Sequence, residues 1–316
     1  MIDVDLSDVR LPALDGFALA ATVFSPGPRV GAGSASRVAV VNSATAVPRG
    51  YYRAYAEVLA RRGWTVVTYD YRGVGDSRPR RLRGFAARTR DWVLLDMEAV
   101  VADARRRADG GPVVLVGHSV GGQLAGLLEH PQGIAGLLTV SSQSGHWRRQ
   151  APGARLSAAL HTHLTLPLLS RVFGYMPWSW FSSAQDLPAG AAREWASWAR
   201  RPGYLLDDGT LPLHRFGTCP APVLADSIDD DLWGSAGSVD AMMRAYPRVE
   251  RRHLVPAARG VERLGHFGFF RRTSQKLWGE TFDWLELVSA GGAARAGQRV
   301  GGLSTDVHER DRSSAT

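Results

Sequence analysis

From Val113 to Leu128 the chain reads Val-Val-Leu-Val-Gly-His-Ser-Val-Gly-Gly-Gln-Leu-Ala-Gly-Leu-Leu, and no other stretch constrains the fold as much. Four apolar residues, three of them β-branched, predict a buried strand. Gly-x-Ser-x-Gly follows at Gly117–Gly121, and Leu124, Ala125, Leu127 and Leu128 then mark the buried side of a helix. So tight a strand-to-helix turn pushes the Ser119 hydroxyl out above the sheet. Gly117 and Gly121 are required because side chains there would strike the neighbouring strand and helix. The start of the following helix sets backbone N–H groups and a partial positive charge beside the serine. A nucleophile and half of an oxyanion hole are thus offered together. A structural turn capped by Ser119 is the competing reading, since a chain with 35 glycines produces the bare pattern readily. The strand and helix on either side of the motif favour the nucleophile.

The rest of the chain supplies the sheet this turn needs. Two short strands are predicted at 2–6 and 17–24, then a Gly-, Pro- and Ser-rich loop at 25–36. Arg37-Val38-Ala39-Val40-Val41 reads as a buried strand, Tyr51 to Arg62 as a helix ending at Gly63, and Trp64 to Tyr69 as the next strand. Asp91 to Arg107 has helical spacing and precedes the central strand; Ile134 to Val140 is a further strand. Strand and helix alternate and the strands are apolar throughout, which predicts an α/β fold with a mostly parallel sheet covered on both faces. That rhythm breaks between 143 and 213, a span rich in Trp, Leu and Phe. It resumes with a strand at 222–225, a helix at 238–246, a last strand near 251–255 and a helix at 275–288. From about Ala290 the chain is Gly, Arg, Ser and Asp with few large apolar residues, the composition of a disordered tail.

Composition excludes several classes. The formal charge of +8 comes from arginine, with Lys276 the single lysine. The arginines are scattered and not interleaved with aromatics, so no nucleic-acid partner is expected. No run of eighteen apolar residues occurs, so no transmembrane helix and no membrane partner are expected. The acidic start at Met1–Asp5 lacks the pattern of a signal peptide. Cys219 is the only cysteine. One thiol forms no internal disulfide and suits a reducing compartment, so a cytoplasmic location is expected.

Taken together, several stretches resemble the α/β-hydrolase superfamily, in a serine-aminopeptidase-like or predicted serine hydrolase branch. They are the strand at 37–41 with its loop, Tyr51-Tyr52, Gly63-Trp64, Tyr69-Asp70-Tyr71-Arg72-Gly73-x-Gly75-x-Ser77, Asp91-Trp92 and Gly117-His118-Ser119-x-Gly121-Gly122. The resemblance covers about residues 15–145 and 215–285. It implies a core in two parts (1–142 and 214–289), a helical lid at 143–213 and the tail at 290–316. It implies a Ser, acid, His order along the chain. Ser119 is then the nucleophile, and His266, in a Gly-His-Phe-Gly loop after the last strand, is the base. His118 belongs to the turn, His253 lies within a strand, and His161 and His163 sit in the lid with no third metal ligand at a suitable spacing. The acid falls in the turn after 222–225. Counting from the strand gives Asp231, with Asp230 as the alternative, and Asp226 and Asp229 are left to form the turn. The oxyanion hole should use the N–H of Val120 and one from the loop after 37–41. That loop has Asn42-Ser43-Ala44-Thr45 in place of the usual His-Gly, so Ala44 is expected by position and Thr45 second. The Asp70–Ser77 turn is expected to brace the nucleophile turn. In the lid, Trp178, Trp180 and Trp195 would line an acyl pocket, with Leu156, Leu160, Leu164, Leu166, Leu168 and Leu169 contributing apolar surface.

The expected activity is hydrolysis of a carboxylic ester or thioester, a small-molecule acyl substrate, through an acyl-enzyme, with no metal or organic cofactor. Acyl transfer, cyclisation or peptidase action on the same triad is the alternative. A peptidase acting on free N-termini would use acidic lid residues such as Asp186, Glu194, Asp207 and Asp208. A non-catalytic binding protein of this fold is the third reading.

Overall fold

A computed structural model describes residues 3–27 and 36–305, with side chains described to Gly291. Along the sequence run β1 (Val4–Pro12), β2 (Ala18–Pro26), β3 (Arg37–Asn42), α1 (Arg53–Arg61), β4 (Trp64–Tyr69), α2 (Glu98–Ala108), β5 (Val113–His118), α3 (Val120–Leu124) and β6 (Ile134–Val140). After β6 come α4 (Arg155–Leu160), α5 (Leu166–Phe173), a ribbon of β7 (Tyr175–Met176) and β8 (Leu187–Pro188), α6 (Ala189–Ala199) and α7 (His214–Thr218). The chain then returns to β9 (Val223–Ile228), α8 (Ala236–Met243), β10 (Val249–Leu254) and α9 (Trp278–Thr305).

Alternation along the strands builds two cores. In β5, Val113 and Leu115 join one apolar cluster while Val114 and Val116 join the other; in β3, Val38 and Val40 oppose Ala39 and Val41 in the same way. The first cluster takes in α2, α3 and α8, and the second packs Tyr55 and Leu59 of α1 against Trp278, Phe282 and Leu285 of α9. A strand apolar on both faces must be covered on both faces. One eight-stranded sheet results, in the order β1-β2-β4-β3-β5-β6-β9-β10. β1–β2 and β2–β4 pair antiparallel, and the pairs from β4 to β10 are all parallel. This is the expected α/β-hydrolase architecture. The carboxyl ends of β5, β9 and β10 therefore open on the same edge, where open α/β sheets bind their ligands.

Two expectations change. α9 runs on to Thr305, past the predicted start of the tail at 290. Ala293, Ala294 and Ala296 favour helix while Gly291, Gly292, Gly297, Gly301 and Gly302 oppose it, so local propensity does not account for the extension. Residues 306–316 of that expected tail, and most of the predicted loop at 25–36, lie outside the described residues. The Asp70–Ser77 turn also braces other partners than the nucleophile turn. Asp70 accepts hydrogen bonds from the Arg49 N–H (2.6 Å) and the Asp76 N–H (2.9 Å), and pairs with the Arg49 guanidinium. Ser77 Oγ accepts from Ala20 N–H of β2, and Gly75 N–H donates to Gln185 Oε1 of the inserted span. The turn thus ties β2 and the insertion to the loop that follows β3.

Candidate active site

Ser119 joins β5 to α3 with φ 50° and ψ −118°. That backbone conformation is sparsely populated for a residue with a side chain, and the two glycines of the motif make room for it. A Cβ on Gly117 would come within 2.4 Å of Gly122 Cα, and one on Gly121 within 2.2 Å of the Asn42 carbonyl oxygen. Val120 is the first residue of α3, so its N–H has no partner inside the helix.

Three side chains from distant strand ends meet here. His266 Nε2 lies 3.0 Å from Ser119 Oγ, and His266 Nδ1 lies 2.8 Å from Asp231 Oδ2. All three residues are buried. Asp231 Oδ1 accepts the Trp233 and Gly234 N–H groups, each at 2.9 Å. Burial alone would raise the Asp231 carboxyl, but the facing His266 ring first, and then the Gly234 N–H, hold it down to about 2. An ionised Asp231 makes Nδ1 the protonated nitrogen of His266, and Nε2 is left to accept from the serine hydroxyl. Trp233 covers the ring, with centroids 5.7 Å apart.

Asp230 does a different job from its neighbour. Its carboxylate accepts the Leu264 and Gly265 N–H groups, both at 2.9 Å, and so pins the loop that carries His266. Asp226 pairs with Arg252 and Asp229 with His253.

The expected second oxyanion donor is corrected. Ala44 N–H is already taken: it donates to the Tyr52 hydroxyl at 2.8 Å. The next residue, Thr45, lines the cavity, and among the described residues its N–H has no partner. The Tyr52 hydroxyl belongs to a buried chain of hydrogen bonds that sequence reasoning missed. It lies 2.9 Å from His118 Nδ1, and His118 Nε2 lies 2.9 Å from the His266 carbonyl oxygen. A carbonyl only accepts, so Nε2 carries the proton and Nδ1 accepts from Tyr52. Burial first, and then the neighbouring His266, push His118 down to about 3, so it stays neutral. Tyr51-Tyr52 and the His in the Gly-x-Ser-x-Gly motif were visible in the sequence, but nothing local signals that the two side chains touch.

The cavity above Ser119 has a volume of about 380 Å³. Trp178 and Trp195, from the inserted span, line it together with Val47, Trp233 and Phe267. A smaller chamber of about 70 Å³ continues behind Trp178 and Trp195 toward Gln150. Trp180 does not line either space: it is exposed, with its ring 4.9 Å from that of Phe173. Of the six leucines expected to add to the pocket, Leu156, Leu160, Leu164 and Leu168 point to solvent, while Leu166 and Leu169 pack into the core. His161 lies on the cavity wall. His163 is exposed, with its ring 5.8 Å from that of Trp147, so the two histidines point apart. No Asp or Glu lines the cavity among the described residues. Asp186, Glu194 and Asp208 are instead held by Arg78 and Arg90, and Asp207 by the Gly203 N–H.

Residues 33–194, just over half the chain, match the family model described as serine aminopeptidase, S33. Among curated proteins no sequence matches. Among solved structures the chain is similar to a soluble variant of monoglyceride lipase from Saccharomyces cerevisiae, with a TM-score of 0.63 at 14% identity, covering 92% of this chain and 96% of that one. It is similar also to a thermophilic esterase from Thermogutta terrifontis (TM-score 0.57, 16% identity, 90% of this chain and 99% of that one). An esterase from Exiguobacterium antarcticum gives a TM-score of 0.57 at 15% identity, over 89% of this chain and 100% of that one. At such identities the likeness is one of fold.

Proposed function

This chain belongs to the serine aminopeptidase S33 family, and from that premise we propose that it is a serine hydrolase cleaving a carboxylic ester or thioester through an acyl-enzyme. The observation that carries the reading is the buried line from Ser119 Oγ through His266 to Asp231, at 3.0 and 2.8 Å. A serine hydroxyl needs such a base to attack at neutral pH, and the base needs a carboxylate to hold its tautomer and stabilise the imidazolium. His266 takes the Ser119 proton as Oγ bonds to the acyl carbon. The oxyanion is met by the Val120 and Thr45 N–H groups. His266 then gives the proton to the departing alcohol or thiol, and a water activated by the same ring releases the acid. The span 143–213 acts as the lid of this site, with Trp178 and Trp195 against the acyl group.

An ester is favoured over a peptide with a free N-terminus. An aminopeptidase needs a carboxylate to hold the substrate ammonium, and the acidic residues of the inserted span are committed to arginines and backbone N–H groups away from the cavity. The test is a fluorophosphonate probe combined with a series of nitrophenyl esters of increasing acyl length. The wild type should label on Ser119 and turn over esters. Ser119→Ala should lose the label and at least about 10³-fold in kcat. A folded wild type that neither labels nor hydrolyses would leave a binding protein of this fold. Adding an alcohol and measuring transesterified product separates acyl transfer from hydrolysis.

A further inference from the structure

The helical span Arg155–Phe173, made of α4, a π turn at His161–Thr165 and α5, carries an aliphatic residue at every fourth position: Leu156, Leu160, Leu164, Leu168 and Val172. These side chains are 83, 52, 52, 49 and 56% exposed. On the opposite face Thr162, Leu166 and Ser170 are buried. A period of four drifts around a helix of 3.6 residues per turn. The wider π turn slows that drift and keeps the stripe on the outer side. A helix that only covered a cavity would turn polar residues outward. This one turns branched aliphatics outward for its whole length.

The expectation of no membrane partner rested on the lack of an apolar run long enough to span a bilayer, which does not bear on surface docking. We propose that this face docks on an anionic phospholipid bilayer. Three observations select that occupant. First, no Asp or Glu occurs between His130 and Gln185, while Arg148, Arg149, Arg155 and Arg171 fall in the same span. Arg155 and Arg171 stand exposed at the two ends of the stripe, where their guanidinium groups reach phosphates as the leucines enter the acyl region. Second, exposed Trp180 and Phe181 extend the apolar surface beyond α5 with the residue types that settle at headgroup level. Third, Phe181 also lines the cavity that holds Ser119, so the docking face runs into the mouth of the site. A second copy of this chain is a poorer occupant. A two-fold contact through the stripe would set arginine against arginine with no carboxylate in the span to pair them. The docking itself does not depend on the hydrolase reading; only its use, delivery of a lipid-borne ester to Ser119, rests on it.

The experiment is co-sedimentation of the full chain with large vesicles of phosphatidylcholine and phosphatidylglycerol in equal parts, and with vesicles of phosphatidylcholine alone. The wild type should partition onto the mixed vesicles at least about tenfold more strongly than onto the neutral ones, and lose that preference in high salt. Leu160→Glu combined with Leu164→Glu and Leu168→Glu should abolish binding while keeping the circular dichroism spectrum of the wild type. Arg155→Gln with Arg171→Gln should weaken binding to mixed vesicles about tenfold or more and leave neutral vesicles unaffected. Ser119→Ala should bind as the wild type does, which separates docking from chemistry. A wild type that stays in the supernatant with mixed vesicles overturns the proposal, as does a folded triple variant that binds unchanged. A dimer in size-exclusion chromatography that the triple variant dissolves, without vesicle binding, assigns the face to a second copy.

Discussion

Two buried imidazoles with ring centroids 5.4 Å apart show how position divides labour between like residues. His266 has a carboxylate on one side and a hydroxyl on the other; His118 has a phenol on one side and a backbone carbonyl on the other. The first is set to exchange a proton and the second to keep one. His118 is held neutral down to about 3, against an ordinary 6.5. Between those values the unfolded chain binds a proton that the folded chain does not, so this residue lowers stability as pH falls through the window. The limiting slope is about 1.4 kcal/mol per pH unit. Asp96 acts in the opposite sense, since burial raises it to about 6 against the pull of Arg72, so the total curve mixes signs. The difference between wild type and His118→Gln isolates the histidine. Urea denaturation from pH 7 to pH 4 should show the wild type losing stability relative to His118→Gln as pH falls, and parallel curves would refute the neutral assignment. The sequence displayed both histidines and the aspartate run. Counting from the strand puts Asp231 ahead of Asp230 but gives no physical reason for the order, because which carboxylate faces the ring and which caps the loop at Leu264 and Gly265 depends on a turn closed by residues about thirty-five positions away.

At the scale of the element, the nucleophile turn was the most legible part of the chain, because its geometry is enforced locally by two glycines. Gly121 packs closely on Asn42, the last residue of β3, so the turn touches the strand end that leads into the Ala44–Thr45 loop. Gly121→Ala would drive a methyl group to 2.2 Å from the Asn42 carbonyl oxygen, a backbone atom that no side-chain rotation can move. The loop from Asn42 to Thr45 must retreat. The cost in stability should be about 1–3 kcal/mol, and kcat should fall about tenfold or more as the Thr45 N–H leaves the oxyanion. Denaturation midpoints and ester turnover check this; a variant with wild-type kcat would remove Thr45 from the oxyanion hole. The inserted helix was the least legible element. Its leucines fit a cavity lining as well as an outer face, because a repeat of four matches neither 3.6 nor a strand. The π turn that decides which way they point has no sequence signature of its own.

In the whole molecule, the insertion must sit on the sheet firmly enough to close the cavity, and ion pairs hold it as well as apolar packing. Arg90, just before a second π turn at Trp92–Met97 that leads into α2, reaches across to the insertion. Its Nε lies 2.5 Å from Glu194 Oε1 and its Nη2 lies 3.2 Å from Asp208 Oδ2. Thr89 Oγ1 adds a hydrogen bond of 2.9 Å to the Ala191 carbonyl. Both carboxylates are about nine-tenths buried, so their attraction to Arg90 is poorly screened and their isolation is costly. Removing the guanidinium leaves Glu194 with the backbone N–H of residue 90, while Asp208 keeps Trp198 Nε1 and the Thr210 N–H and hydroxyl, so the loss falls mainly on Glu194 and should be about 1–3 kcal/mol. The charge comes from the core and the carboxylates from the insertion, so the strain falls on the joint between them. Arg90→Ala should therefore open the insertion without unfolding the sheet. Limited proteolysis should cut first between residues 143 and 213, while the fluorophosphonate still labels Ser119. The kcat/KM for long acyl esters, which need Trp178 and Trp195 in place, should fall at least about tenfold further than that for an acetyl ester. Arg90→Lys keeps the charge but loses the two-pronged geometry, and should fall between. Equal losses for short and long esters would mean that the joint shapes the triad and not the lid.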